Sequence, residues 1–285
     1  MQTRASTVLM RLYLGLFFVY LFAPLVIMAL ATFNTSKFPT VTPWLGTTTK
    51  WFDVLFADTQ MWAALRSSVI TGLAVIALSV PIGVAAAILL NGVQARARSF
   101  LYAVMVSPLL TPGVIIGIST LIFWERLGVK GGLHLAVLGQ SSFIIAYIML
   151  MVLARLQRFD LSLEEAALDL GASHMQAFRR ILLPHLWPAI VSGAVLAFFQ
   201  SFENYNTTLF TRGTDTTLTI YIASRVRTGL TPSVNALGLI LIGLTLVGAV
   251  VYEVLRRREA ARETEAKKRA ARENAAMPML AFEPA

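Results

Sequence analysis

The chain has 285 residues, 56% hydrophobic and 14% charged, against roughly 45–50% and about 25% in soluble domains, which excludes both an ordinary soluble fold and a disordered chain. Of its 24 basic and 15 acidic residues, 13 fall after Leu255, so the body is nearly charge-free. The absence of cysteine removes disulfide frameworks, thiolate metal sites and cysteine nucleophiles, and the +9 net charge punctuates apolar runs instead of forming a phosphate-reading patch, so no nucleic-acid partner is expected.

A helix needs about 20 apolar residues to cross roughly 30 Å of hydrocarbon. Six stretches free of charge meet that length: Leu12–Ser36, Ser67–Ala95, Ser99–Trp124, Gly131–Ala154, Ile181–Phe202 and Thr228–Tyr252. The first is too long for a signal-peptide core and no clear cleavage motif follows it, so it is expected to be retained. The loop Phe33–Leu65, with Trp44, Trp51 and Trp62, reads as an external segment at the interface, where tryptophan is favoured. Pro24, Pro81, Pro108, Pro112 and Pro188 lie inside the spans. They permit bends lining a path, although proline is also ordinary in membrane helices.

Six spans put both termini on one side of the membrane. If that side is the cytoplasm, it carries sixteen of the 24 basic residues, including Arg256, Arg257 and Arg258 directly after span six. The tail beyond them reads as a solvated helix serving as a membrane-surface anchor.

The loop between spans four and five, Arg155–Trp187, is unlike the others. Ser162 with Glu165 three residues on reads as a capping box. Gly171 stands where that helix should end, Ser173 with Gln176 reads as a second capping box, and Pro184 is expected to stop the second helix. Glu165-Ala166-Ala167, three residues, Gly171, nine residues, Ile181, one residue and Leu183-Pro184 together resemble the signature loop of the permease subunits of bacterial type I ABC importers.

That resemblance implies that the first short helix is a coupling helix seated in a groove of a cytoplasmic ATPase subunit. Glu165 would face a basic or hydrogen-bonding partner there, Ala166 and Ala167 would permit close approach, and Gly171 would make the turn. Residues 62–255 resemble the five-helix permease core, with residues 1–61 added outside it and 256–285 forming a cytoplasmic tail. The stretch Ser201–Asn235 is similar to the spermidine/putrescine permease branch. The implied assembly has a second permease, in a heterodimer, two ATPases that bind ATP and magnesium, an external solute-binding protein and the surrounding lipid of the bacterial inner membrane.

Glu203 is the one acidic residue near the embedded part of a span and away from a basic flank, and an ionisable group at such depth is a functional candidate. It stands about 22 Å beyond Pro188 along a helix, in the outer half of the membrane. Two readings stand. In one, Glu203 attracts a cation on the translocation path, with Gln200, Asn204 and Asn206 as hydrogen-bonding groups and Tyr205 as a ring face. In the other it is interfacial or pairs with Arg66 or Arg212. The polyamine branch usually carries two consecutive acids at the positions of Glu203 and Asn204; here the second is an amide, so an amino-acid-like, iron or anionic solute remains an alternative.

The chain lacks a glycine-rich phosphate loop, and His134, His174 and His185 lack zinc-ligand spacing. It is therefore expected to be no enzyme and to bind no cofactor or metal itself. An autonomous secondary carrier would need no docking loop, and a membrane enzyme would need paired catalytic groups in the spans. The expected architecture is an all-α, six-span permease.

Overall fold

The computed structural model describes residues 4–280, whose regular elements are all helices apart from one isolated bridge between Asn34 and Thr47. In chain order the helices are α1 (Arg4–Thr32), α2 (Lys50–Ala57), α3 (Thr59–Gly92), α4 (Ala95–Leu110), α5 (Gly113–Arg126), α6 (Leu133–Leu156), α7 (Ser162–Asp169), α8 (His174–Ala177), α9 (Leu183–Phe202), α10 (Asn206–Thr211), α11 (Leu218–Thr228) and α12 (Pro232–Leu280), with a π-helical turn, Phe178–Leu182, joining α8 to α9. Among the described residues five helices are long and apolar enough to cross a membrane, or six if α4 and α5 count as one span.

Packing divides the chain into two units: the described residues up to Leu55 with those from Leu230 onward, and Phe56–Gly229. In the first unit α1 packs on α12, where Gly238 lies against Met28. The helix α12 runs on through the charged tail to Leu280 and starts at Pro232; Thr228, expected to open span six, belongs to α11 instead.

In the second unit α3, α6 and α9 pack around Val75, Leu90, Ile144, Ile148, Met149, Leu186 and Ile190. The inward face of α3 reads Ser68, Gly72, Val75, Ser79, Gly83, Ala86 and Leu90, three or four residues apart. Small residues let membrane helices approach closely; a Cβ on Gly83 would stand 2.7 Å from Ile148 Cγ2. The span begins at Thr59, eight residues before the charge-free run, because Asp58 caps it by accepting from the Met61 N–H at 3.0 Å. Arg66 lies inside the helix.

Span three is not one helix: α4 and α5 meet at 102°. Pro112 has no N–H and bars the helical conformation from the residue before it, so Thr111 is extended (φ −87°, ψ 128°). The chain re-satisfies what the prolines release. Ser107 Oγ donates to the Val104 carbonyl that Pro108 leaves free (2.8 Å), and the Thr111 N–H donates to the Pro108 carbonyl that Pro112 leaves free (3.2 Å).

The loop after α6 departs from expectation twice. Ser162 is not the cap of α7, which has no side-chain cap; Ser162 is its first residue and donates its N–H to Asp160 Oδ1 at 3.0 Å, so the Ser162–Glu165 capping box does not form. Nor does Pro184 stop the second helix, which runs from His174 to Phe202. The π-helical turn takes the strain: Leu183 donates back to Phe178, and Pro184 sits in the first turn of α9, where a missing N–H is tolerated. The Ser173–Gln176 capping box is present with both bonds made.

Candidate functional site

Gln200, Glu203, Asn204, Tyr205 and Asn206 line one cavity of about 330 Å³, closed on the other side by Pro108 and Thr111 at the broken span and by Phe143 and Tyr147 of α6. The helix α9 ends at Phe202, and Glu203 follows as its C-cap residue (φ −86°, ψ −4°). A helix C-terminus carries partial negative charge, so a carboxylate there is stable only if solvated or met by a cation. Glu203 is accessible and forms no ion pair among the described residues. Arg212, one partner weighed from sequence, donates instead to the Asp215 carbonyl and the Thr216 hydroxyl.

Asn204 has a different task. Its Oδ1 accepts from the N–H groups of Thr207 and Thr208 and from the Thr208 hydroxyl, each at 3.2 Å, and so caps the start of α10. With that oxygen occupied, Asn204 offers the cavity only its amide hydrogens. The Tyr205 hydroxyl accepts from Arg227 at 3.2 Å.

The helix α10 is wedged between α5 and α6. Thr207, Thr208 and Thr211 are fully buried. Thr207 Oγ1 donates to the Gly113 carbonyl at 3.1 Å, and a Cβ on Gly117 or Gly139 would lie 2.8 or 2.9 Å from Thr207. Gly117 lets α10 seat against the broken span and Gly139 lets it seat against α6, and α10 in turn lines the cavity with Asn206 and Thr207. Buried hydrogen bonds of Gln140 with Thr208 and Ser201 were not read from the sequence, where Gln140 is one amide in an apolar run.

The expected coupling loop lies at the opposite end of α9, 20 residues or about 30 Å away. Glu165 and Ala166 are exposed, Ala167 is half-buried, and Leu170 is 89% exposed. Gly171 has φ +85°, the left-handed conformation expected of it. Its N–H donates to the Leu168 carbonyl (2.9 Å) and the next N–H, of Ala172, to that of Ala167 (3.0 Å), a Schellman turn. Ile181 lies in the π-helical turn, and Leu183, ahead of Pro184, packs on the core. A clasp unforeseen from sequence ties the loop's two ends: Arg155 Nε donates to the His185 carbonyl (3.1 Å), and His185 Nε2 lies 3.2 Å from the Arg155 carbonyl.

A second unforeseen cluster joins α11 to the start of α3. Asp58 Oδ2 accepts from Tyr221 Oη and from Arg225 Nη2, both at 2.8 Å. Burial pushes the Asp58 carboxyl up, but the Tyr221 hydroxyl, the Met61 and Gln60 N–H groups and the Arg225 charge together hold it below the usual carboxylate value.

Residues 79–260 match the family described as "Binding-protein-dependent transport system inner membrane component". The chain is 33% identical over 251 residues to the putrescine transport system permease protein PotI of Escherichia coli (strain K12), covering 85% of this chain and 89% of the relative. It is 30% identical over 241 residues to the spermidine/putrescine transport system permease protein PotC of the same strain, covering 84% and 90%. Its fold is similar to that of a chain from the crystal structure of a bacterial ABC transporter involved in the import of the acidic polysaccharide alginate, with a TM-score of 0.65 at 14% identity, covering 90% of this chain and 98% of that one. The broken span, the cavity at the end of α9 and the surface hairpin at its start therefore belong to a multi-pass, all-α transport component that is not itself a catalyst, and the chain is a member of the family of binding-protein-dependent ABC importer permeases.

Proposed function

We propose that this permease forms the translocation path for a small organic cation of the polyamine class, and that the cavity at Glu203 is part of that path. The observation that carries the reading is the Glu203 carboxylate, accessible in a cavity, at the negative end of α9 and in no ion pair among the described residues. Such a group favours a cation, and the relatives' names as putrescine and spermidine/putrescine permeases support an amine. Tyr147 and Tyr205 supply ring faces for the alkyl chain and its ammonium.

ATP and magnesium belong to two cytoplasmic ATPase subunits, which dock on α7. Leu170, an almost fully exposed apolar side chain at the C-cap of α7, supports a buried contact in the assembly. Closure of the ATPases moves α7, and α9, linked to it by the Gly171 turn and α8, carries the movement to the cavity. A second permease completes the path, an external solute-binding protein delivers the solute, and both termini, with Arg256, Arg257 and Arg258, lie in the cytoplasm.

A second reading has one observation in its favour. The free face of Asn204 is a hydrogen-bond donor, which suits a carboxylate, so an amino-acid-like zwitterion could place its ammonium at Glu203 and its carboxylate at Asn204. Uptake of labelled putrescine into liposomes holding the whole importer tests both. Putrescine should be taken up saturably, and Glu203→Gln should weaken uptake about tenfold or more, the worth of one charge-assisted hydrogen bond. Unchanged uptake by Glu203→Gln overturns the role of Glu203, and competition by lysine but not by spermidine favours the zwitterion.

A further inference from the structure

Gln140 is fully buried in α6, and its side-chain amide is used on both sides. Nε2 donates to Thr208 Oγ1 of α10 at 2.8 Å, and Oε1 accepts from Ser201 Oγ of α9 at 2.5 Å. One side chain thus joins three helices, between elements where lipid offers a polar group no alternative partner. The chain of bonds runs on: Thr208 Oγ1 donates to Asn204 Oδ1. Ser201 precedes Glu203 by two residues and Asn204 follows it by one, so the carboxylate, which makes no hydrogen bond among the described residues, is bracketed by two residues tethered to Gln140. Apolar side chains of the same shape would fill these positions with equal or better stability. A polar junction adds direction: it holds α9 and α10 in one register against α6.

We infer that Gln140 is a positioning residue of the transport site: without touching the solute, it sets where the end of α9 and the start of α10 place the Glu203 carboxylate in the cavity. The inference rests on the reading of that cavity as the solute path. It predicts a change in affinity more than in turnover, because the cavity wall shifts while the α7 hairpin, about 30 Å away, does not.

The test is putrescine uptake by the reconstituted importer, with KM and maximal rate measured separately for four proteins. Gln140→Leu should raise KM about five- to tenfold, as expected from losing two interhelical hydrogen bonds in a membrane protein, with the maximal rate kept within about twofold. That variant takes from the buried Ser201 hydroxyl its acceptor and from the buried Thr208 hydroxyl one of its two bonds, so it is paired with the triple variant Gln140→Leu, Ser201→Ala, Thr208→Val, which removes the whole junction. The triple variant should regain thermal stability while its KM stays raised. If it regains wild-type KM as well, or if Gln140→Leu leaves KM unmoved, Gln140 is only a packing element and the inference falls. Glu203→Gln, the fourth protein, separates two failures. A raised KM there with none in the Gln140 variants removes the inference and keeps the cavity, and no change in any variant removes both.

Discussion

Gly171 offers a test in which backbone geometry alone sets the size of the effect. A Cβ at this position would meet nothing within 4 Å, so substitution brings no clash. What it brings is a side chain at φ +85°, which disfavours an L residue by roughly 1–2 kcal/mol. The alternative is to open the turn and give up the two bonds from Gly171 and Ala172, about 1 kcal/mol each. Either way the competent hairpin is lowered by about 1–2 kcal/mol, a factor of roughly 5–30 in its ratio to the opened hairpin, and the apparent affinity of an ATPase for the loop falls by up to that factor. Gly171→Val, β-branched and poor at positive φ, should show the full effect, and Gly171→Asn, which tolerates the left-handed region, should show little. The assay titrates the ATPase subunit against the permease in liposomes and reads the concentration giving half-maximal uptake. That value should rise about tenfold for Val and less than about threefold for Asn, with equal amounts of both proteins in the membrane. Equal values for Val and Asn, or a wild-type value for Val, would refute the turn-geometry argument.

Three further expectations rest on other parts of the molecule. Gly117→Ala sets a Cβ 2.8 Å from the Thr207 carbonyl, a backbone atom of a fully buried residue; overpacking of this kind costs about 1–3 kcal/mol, so its thermal unfolding temperature should fall by several degrees, whereas Gly243→Ala in α12, which meets nothing within 4 Å and improves helix propensity, should not lower it. Asp58 has a lowered pKa in the folded state, so its contribution to stability is full above the unfolded value of about 3.9 and is lost as pH falls through the lower folded value. Thermal unfolding followed from pH 6 downward should therefore show wild type losing stability below about pH 4 more steeply than Asp58→Asn, and parallel curves would remove Asp58 from the account. At pH 7, Asp58→Asn should also make the N–H groups at the start of α3 exchange faster with solvent, since the cap is weakened and the contacts to Tyr221 and Arg225 change.

What was legible in the sequence was local. Apolar runs mark the spans because insertion depends on summed hydrophobicity over about 20 residues. Gly171 and the Ser173–Gln176 box announce the surface hairpin because turn and cap energies act within a few residues. The gathering of Gln200 and Glu203–Asn206 around one cavity was within reach because all seven positions from Gln200 to Asn206 are polar or aromatic, directly after an apolar stretch. Even local rules had competitors. Asp160 bonded the N–H of Ser162 before Ser162 could act as a cap, and a π-helical turn absorbed Pro184. Pro112 alone could have announced the 102° break, but Pro81 and Pro188 pass through helices uninterrupted, and what distinguishes Pro112 is that Gly113, Gly117 and Thr207 give α5 a new direction in which to pack. The tertiary structure decided which polar residues serve the site and which build it. Glu203 and Asn204 are neighbours in sequence, yet one lines the cavity without an ion pair among the described residues and the other caps a helix. Gln140, Asp58 and Arg155 find partners 68, 163 and 30 residues away. Such bonds depend on helices packing side by side, and no spacing along the chain encodes which hydroxyl will stand opposite a buried amide.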